Sequence, residues 1–378
     1  MLDKAEKNLE SVGGDVGLAR ATVLSRESRF EEALDALQRS RTNKSDAPLM
    51  PMRQLERGRL YDRLGRFGEA WADISEAKSR LADDPHMTYD PKQIEEFFYR
   101  LRSFFIREHL DLIPKNPARE GTPQPIFILG FPRSGTTMIE QVLNNHSKVH
   151  AGDELTYIPD LTYITPKIVS SPYDFPESLA ELWMADKHFG MQVFRDYYLG
   201  RAEQNGLFKS GKPFFTDKLP LNETYLLFIH MIFPEAKFVH LIRHPLDVGV
   251  SVMSNYLTHG FHCGFKIEHF AHHFVAVHDL VAHYLTQAKL SYYPLRYETF
   301  VHDQRHQTEK LLNFLGLPFE EACISFHEST RYANTASYAQ VTQKLHDRSI
   351  GRYKHYLEFL QPTLPVLSPV IAKLGYEI

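Results

Sequence analysis

From residue 125 onward, short apolar runs alternate with segments in which apolar residues recur at helical spacing. The runs rich in Ile, Phe, Val and Leu lie at residues 125–131, 149–151, 213–216, 238–242 and 292–298. Runs of this length bounded by Gly or Pro predict strands, and a continuous apolar run suits a strand covered on both faces. Helices are predicted at residues 222–233, 267–288 and 299–315. This alternation indicates an α/β fold with a doubly wound parallel sheet.

Residues 1–112 have a different pattern, with no Ile/Val-rich run and with the periodicity of helical hairpins. The sequence Arg-Phe-Glu-Glu-Ala at residues 29–33 returns as Arg-Phe-Gly-Glu-Ala at residues 66–70. Tetratricopeptide repeats recur about every 34 residues, so the region predicts two such repeats with a longer loop. Small residues at Gly58 and Ala70 would let two helices approach closely, with Tyr61 beside them. A plain helical hairpin that only packs on the domain behind it fits equally well.

Three prolines and a glycine fall within residues 113–124 and predict a linker. A third amphipathic helix, at residues 93–109, leads into it. The chain is therefore predicted to contain an all-α helical-repeat region at 1–112, the linker at 113–124 and an α/β domain at 125–378.

Composition excludes several classes of protein. The net charge of −4 gives no global basic surface for nucleic acid or an anionic membrane. Cys263 and Cys323 are too few for a disulfide framework or a structural zinc site. The first residues lack a basic start with an apolar core, and no window holds 18 apolar residues in a row. We therefore expect a soluble, cytoplasmic protein, whose oligomeric state the sequence does not indicate.

The segment between the first strand and its helix is a candidate anion site. Gly130 and Gly135 bound a tight turn, and Met138, Ile139 and Val142 continue it at helical spacing. Unpaired N–H groups and the helix dipole favour a phosphate or sulfate at such a turn. The spacing is that of a nucleotide phosphate loop, but the Lys that reaches the β- and γ-phosphates is absent.

Five motifs occur in order along the chain: PRSGTT at 132–137, DKLP at 217–220, LIRHPLD at 241–247, RYE at 296–298 and SIGRY at 349–353. Together they resemble sulfotransferases that use 3′-phosphoadenosine 5′-phosphosulfate (PAPS). The arrangement most resembles bacterial proteins that join tetratricopeptide repeats to a sulfotransferase domain. The resemblance implies the P-loop-like sulfotransferase fold, PAPS as co-substrate, no metal, and in-line sulfuryl transfer to the hydroxyl of a peptide tyrosine, a sugar or a small molecule.

The resemblance also implies roles for individual residues. The residues assigned to cofactor binding are Arg133, Ser134, Gly135, Thr136, Thr137, Arg243, Ser251, Tyr297, Ser337 and Arg352. Arg243 and Ser251 match the 3′-phosphate pair of the family, and Tyr297 lies toward the adenine end. Glu154 matches the catalytic base in the Gly-Glu-Glu-Thr segment of tyrosylprotein sulfotransferases, and Lys218 would supply the cation that the loop lacks.

Alternatives to these roles remain open. Asp153 is the other candidate base, or both acids cap the next helix. Lys218 could be a surface residue paired with Asp217, and Arg243 could pair with Asp247. Tyr297 could be a core residue of its strand.

The function itself has two rivals. One is a P-loop kinase-like phosphotransferase, and the other is a repeat scaffold with an inactive sulfotransferase domain. The partners expected are an acceptor, including a protein or peptide bound through the helical repeats, with no nucleic acid and no membrane. Five histidines share one predicted helix: His269, His272, His273, His278 and His283. They lack the acid of a zincin helix and any cysteine partner, so we expect no metal site.

Overall fold

A computed structural model of the chain describes residues 16–39, 49–84, 87–117, 121–184, 190–257, 261–326 and 345–378. Its first part, residues 16–110, is called the helical region here. The helices of this region are α1 (Val16–Arg26), α2 (Phe30–Arg39), α3 (Met50–Arg63), α4 (Phe67–Ala82), α5 (Pro91–Phe104) and α6 (Arg107–Leu110). The two predicted helical hairpins are confirmed as α1–α2 and α3–α4, while their assignment to the tetratricopeptide class stays a prediction.

Close approach of α3 and α4 depends on Gly58. A Cβ atom there would lie 2.8 Å from Ile74 Cγ1 and 3.1 Å from the backbone oxygen of Ala70. The predicted role of Gly58 and Ala70 is therefore confirmed. Tyr61 is buried beside them, whereas the ring of Phe67 stacks on His355, near the end of the chain.

The remainder, residues 121–378, is called the α/β part. Its strands are β1 (Gln124–Leu129), β2 (Val149–His150), β3 (Phe214–Asp217), β4 (Lys237–Ile242) and β5 (Ser291–Arg296). All pair in parallel, in the order β2-β3-β1-β4-β5. The chain after β1 adds β2 and β3 on one side of it and β4 and β5 on the other. This reversal of direction creates a topological switch point at the carboxyl end of β1.

The helices of this part are α7 (Thr136–Asn144), α8 (Tyr157–Ile168), α9 (Gln192–Gln204), α10 (Leu226–Ile232), α11 (Pro245–Met253), α12 (Ile267–Gln287), α13 (Tyr297–His302), α14 (Gln304–Leu315), α15 (Leu357–Leu360) and α16 (Leu364–Lys373). Short 3-10 segments lie at Glu177–Met184, Asn222–Tyr225, His262–Phe265, Glu321–Cys323, Arg352–Tyr356 and Gln361–Thr363.

Alternate residues of β1 enter two different cores. Ile126 and Ile128 join the core that contains α7 and α14, while Phe127 and Leu129 join the core on the other face. Helices therefore cover both faces of the sheet, and the predicted doubly wound α/β fold is confirmed. The second core continues into the helical region, where it includes Leu101 of α5.

Several predicted helix ends were wrong. The helix expected at 93–109 starts earlier, because Asp90 accepts a hydrogen bond from Lys92 N at 2.9 Å, and it ends at Phe104. The helix expected at 299–315 is two helices, interrupted at Asp303, where the backbone leaves the helical conformation at φ −139°. Tyr297 begins α13 and does not extend β5.

Candidate active site

The carboxyl ends of the five strands form one edge, and each strand leads to residues that the sequence predicts to be functional. In the order of the sheet, β2 leads to Glu154, β3 to Lys218, β1 to the loop 130–135, β4 to Arg243 and β5 to Tyr297. Neighbouring strands lie about 4.8 Å apart, so this row is roughly 19 Å long. Residues scattered over 150 positions of sequence are thus collected along one crevice.

Two glycines give the loop its shape. A Cβ on Gly130 would lie 2.5 Å from Ser134 Oγ and 3.0 Å from the backbone oxygen of Leu241. Gly135 has φ +108°, and a Cβ there would lie 2.7 Å from Cδ2 of Tyr297. Between them Arg133 has φ +76°, which is rare for a residue with a side chain. The surrounding structure therefore imposes this turn, as it does at many functional sites.

Glu223 anchors the start of the loop. Its Oε2 accepts a hydrogen bond from Gly130 N at 2.9 Å, and the side chain is fully buried. Burial raises the pKa of this carboxyl to about 7, partly offset by the backbone N–H groups that donate to it. The sequence analysis missed this residue, because nothing near Glu223 in sequence indicates a partner 93 positions away.

Two buried donors at this edge have no acceptor within the described residues. They are the hydroxyl of Ser134 and Nε of Arg243, which belong to residues that are only 2% and 8% exposed. Thr136 and Thr137 begin α7, and the first N–H groups of a helix have no partner within it. Buried polar groups nearly always have partners, so the Ser134 hydroxyl and Arg243 Nε fit a bound phosphate or sulfate group.

Glu154 and Lys218 meet at the β2–β3 end of the row. Lys218 Nζ lies 2.7 Å from Glu154 Oε1, with the lysine fully buried and the Glu154 side chain 30% exposed. The surface pairing of Lys218 with Asp217 is wrong, since Asp217 accepts from Tyr198 OH at 2.6 Å and from Asn222. The structure thus brings both predicted catalytic residues together.

Asp153 occupies a different position from its neighbour Glu154. Its backbone oxygen accepts from Lys218 N at 3.0 Å, and its backbone N–H donates to Glu140 of α7 at 3.0 Å. Thr156 is the N-cap of α8, with no side-chain hydrogen bond at the cap, so the helix-capping alternative is wrong for both acids. Glu154 is the acid whose carboxylate contacts the buried cation.

Arg243 lies between the loop and the late SIGRY segment. It donates to the backbone oxygens of Arg133 at 2.9 Å and Ser349 at 2.5 Å. The pairing with Asp247 is wrong, because Asp247 accepts from the backbone N–H groups of Gly351 and Tyr353. Arg243 is therefore directed at the loop, while Asp247 holds the late segment beside it.

Ser251 and Tyr297 complete the surroundings of these arginines. Ser251 Oγ, on α11, accepts from Arg133 Nε at 3.0 Å. Tyr297 is buried, with its ring against Gly135 and 4.6 Å from Cζ of Arg243. Tyr297 therefore lies at the end of β5 in the row, as predicted, and it also packs in the core, as the alternative interpretation proposed.

Arg352 is placed at the boundary with the helical region. Its guanidinium forms an ion pair with Asp62 of α3 at 2.8 Å, and Tyr356 OH donates to the same carboxylate. Ser337, the remaining predicted cofactor residue, lies outside the described residues. The contact with Asp62 was not predicted, since it joins positions 290 residues apart.

Comparison with known sequences decides which family this edge belongs to. A profile of the Sulfotransferase family matches residues 125–321, more than half of the 378-residue chain. The chain belongs to the sulfotransferase family. The predicted resemblance is thereby confirmed. The match covers four of the five ordered motifs, the strands from Pro125 onward and the residues of the row, while the SIGRY motif lies beyond its end.

Individual relatives of this sulfotransferase-family chain are distant. An uncharacterised protein of Aquifex aeolicus strain VF5 is 31% identical over 260 residues, which cover 66% of this chain but only 33% of that protein. Protein-tyrosine sulfotransferase 1 of Danio rerio is 24% identical over 265 residues, 67% of this chain and 72% of that protein. A sulfotransferase domain from the Synechococcus PCC 7002 olefin synthase is 19% identical, with a TM-score of 0.48, and covers 70% of this chain and 99% of the domain.

Other features of the described residues bear on the remaining expectations. The described residues contain no group of three or more His, Cys, Asp or Glu side chains able to hold a metal ion. Several histidines of α12 contact neighbouring rings, such as His273, whose Nδ1 lies 3.1 Å from Tyr89 OH, whereas His272 is exposed. Cys263 and Cys323 are both free and buried. No helix in the described ranges is long and apolar enough to cross a membrane.

Proposed function

We propose that this chain transfers a sulfuryl group from PAPS to an acceptor hydroxyl. The observation that carries the proposal is the row along the sheet edge, with a carboxylate–lysine pair at one end and anion-binding donors beside it. A base, a cation and a phosphate cradle in this order are what transfer between a phosphosulfate and a hydroxyl requires. Family membership supports the reaction class.

In this mechanism, Glu154 takes the proton of the acceptor hydroxyl. The carboxylate is partly exposed, so an incoming acceptor has access to it. PAPS supplies the sulfuryl group, and its bond from sulfur to the 5′-phosphate oxygen breaks as the acceptor oxygen bonds to sulfur. The electron pair of the broken bond stays on the phosphate, so negative charge develops there.

Lys218 and the loop stabilise that charge. A lysine ammonium has three N–H donors, so Lys218 can contact Glu154 and a phosphate oxygen at the same time. We assign Arg133, Ser134 and the first amides of α7, which are buried at the loop, to the other oxygens of the same phosphate. Because these groups are fixed before the reaction, little reorganisation is needed as the charge grows.

The acceptor we propose to test first is a tyrosine-containing peptide. The support is the likeness to the protein-tyrosine sulfotransferase of Danio rerio, with sugars and small alcohols or phenols as the other candidates. We also propose that the helical region recruits a protein or peptide acceptor. Free thiols at both cysteines suit the reducing cytoplasm, which is the location we propose.

Calorimetric titration tests the cofactor. We expect tight binding of adenosine 3′,5′-bisphosphate, the product of transfer, and weak binding of ATP with magnesium, because the triphosphate-binding Lys is absent from the loop. Arg243→Ala should weaken bisphosphate binding roughly tenfold or more, since it removes charge-assisted donors. Arg80→Ala, which breaks an exposed ion pair with Glu76, is the matched control and should not alter binding.

The opposite pattern would overturn the proposal. Tight, magnesium-dependent ATP binding without any response to the bisphosphate would indicate the kinase-like alternative. Bisphosphate binding without transfer to any tested acceptor class, in the presence of PAPS, would favour the inactive scaffold.

A further inference from the structure

A cavity of 360 Å³ lies between the helical region and the α/β part. The helical region contributes Arg59 and Arg63 of α3 to its lining, and the α/β part contributes Ser251 of α11 together with Ser349 and Arg352. Ser251 and Ser349 are also the contacts of Arg133 and Arg243 described above. The cavity is therefore continuous with the β4 side of the row.

Positive charge dominates this cavity. The described residues that line it include five arginines and two carboxylates: Arg26, Arg59, Arg63, Arg348, Arg352, Glu56 and Asp62. Glu56 pairs with Arg59, and Asp62 pairs with Arg352, so each of these two carboxylates already has an arginine partner. Collecting like charges at one place costs free energy, and a bound anion is the usual compensation.

Arg59 is a cation of the helical region that contacts the segment following α11 and acts electrostatically on Arg133 of the loop. Its NH1 donates to the backbone oxygen of Ser254 at 3.2 Å, three residues beyond Ser251. With its two bonds to Glu56, three of its five N–H donors are engaged, which leaves a guanidinium able to bind phosphate as well. Burial, Arg243 and Arg59 lower the pKa of Arg133 to about 10, so the Arg59 charge reaches the loop.

We propose that Arg59 is a further phosphate-binding residue, and that the helical region forms one wall of the nucleotide site at the 3′-phosphate. This inference rests on the proposed function, which supplies a nucleotide phosphorylated at both the 3′ and 5′ positions. In the proposed function, the 5′-phosphosulfate of the nucleotide binds at the loop and at the β2–β3 end of the row. The 3′-phosphate is therefore the group that extends toward Ser251 and Arg59. The helical region then helps to select a 3′-phosphorylated nucleotide.

The experiment compares two nucleotides that differ only in the 3′-phosphate. Adenosine 3′,5′-bisphosphate and adenosine 5′-monophosphate are titrated calorimetrically into the full chain and into Arg59→Ala. The variant should bind the bisphosphate roughly tenfold or more weakly, because a charge-assisted contact is lost. Its affinity for the monophosphate should change less than twofold. Arg80→Ala, on the neighbouring helix α4, is the control for loss of one arginine from the helical region.

Folding is checked in the same series. Arg59→Gln keeps a hydrogen-bond donor for Ser254 O while it removes the charge, so it tests the phosphate contact if Arg59→Ala loosens the boundary. Thermal midpoints of both variants within a few degrees of the parent would show that the helical region stays in place.

Two results would overturn the inference. One is parental affinity of Arg59→Ala and Arg59→Gln for the bisphosphate. The other is an equal loss of affinity for both nucleotides, which would indicate a structural role for Arg59. If Arg243→Ala weakens bisphosphate binding while Arg59→Gln does not, only this inference fails. If the parent chain does not bind the bisphosphate at all, the proposed function itself fails.

Discussion

At the Glu154–Lys218 pair, two opposite charges meet where only one has access to water. Lys218 is fully buried, so its ammonium depends on Glu154 for compensation. Removing one partner of such a pair leaves an uncompensated buried charge, which is strongly destabilising. A test of catalysis at this pair therefore needs a substitution that keeps the contact while it changes the chemistry.

Glu154→Gln keeps the hydrogen bond with Lys218, although it removes the compensating negative charge. The amide oxygen can still accept from Lys218, but the side chain can no longer take a proton from the acceptor. We expect the rate of transfer to fall by roughly 10²–10⁴, the usual contribution of a general base. Affinity for adenosine 3′,5′-bisphosphate should stay within a few-fold, as measured by calorimetry beside a steady-state assay of transfer.

Asp153→Asn is the matched control for this experiment. Asp153 contacts Lys218 and Glu140 through its backbone, and those contacts survive the change. Its rate should stay close to that of the parent. A large loss in Asp153→Asn together with an active Glu154→Gln would move the base by one residue. If neither change lowers the rate, His150 at the end of β2 becomes the candidate, because His146 is buried with both ring nitrogens bonded, to Pro318 O and Lys148 N.

The distance between the carboxyl ends of strands β2 and β3 depends on Gly152. A Cβ atom on Gly152 would lie 2.1 Å from the backbone oxygen of Thr216, which cannot rotate away. Gly152 N also donates to Thr216 Oγ1 at 3.1 Å. The carboxyl ends of β2 and β3 therefore meet closely, and this contact sets the distance between Glu154 and Lys218.

Gly152→Ala should disturb both stability and catalysis. Forcing the strand ends apart should cost about 1–3 kcal/mol of unfolding free energy and lower the rate of transfer. Gly200→Ala, in helix α9, has no atom within 4 Å of the new Cβ and should be neutral or slightly stabilising. Chemical denaturation of both variants measures the difference. Equal stability of the two would show that the β2–β3 contact relaxes without cost.

The strands were more predictable than the helices. Residues 238–242 are continuously apolar but for one histidine, and the observed β4, Lys237–Ile242, differs by one residue. By contrast, the helix expected at 222–233 begins as a 3-10 segment at Asn222–Tyr225. Burial on two faces leaves a clear apolar run, whereas helix ends depend on single capping contacts, which periodicity does not record.

At the scale of the whole molecule, the two parts of the chain are joined by contacts that sequence reasoning could not find. Lys78 of α4 is buried and donates to the backbone oxygen of Asn255 at 2.6 Å. Trp71 packs on Tyr356 with ring centroids 5.6 Å apart. These pairs are separated by more than 170 positions and have no motif. The sequence predicted the residues of the loop and strand ends, but it could not predict that α3 and α4 contact Ser254, Asn255 and Arg352 of the α/β part.

The stability of the whole molecule should depend on pH through buried histidines. Burial lowers the pKa of His240 to about 3 and of His273 and His278 to about 4. As the pH falls below 6.5, these rings become protonated in the unfolded chain before they do in the folded chain. Each of them therefore lowers the free energy of unfolding as the pH falls. Burial raises the pKa of Asp217 and Glu223 to about 7, and these two act in the opposite sense between pH 7 and about 4.5. Between pH 6.5 and 4.5 the three histidine rings oppose the two carboxyls. Below about pH 4, His273 and His278 are protonated in the folded chain as well, so their contribution to the pH dependence ends.

We therefore expect the histidines to lower the free energy of unfolding as the pH falls from 6.5 to about 4, with the two carboxyls offsetting part of that decline. Each histidine contributes about 1.4 kcal/mol per pH unit there. His278→Phe, which removes one of the three and keeps a ring beside Phe274, should make the decline less steep. His272→Gln, an exposed position on the same helix, should leave it unchanged. Urea titrations at a series of pH values measure the slope, and identical acid declines in the parent and His278→Phe would show that this ring is not titrated by unfolding.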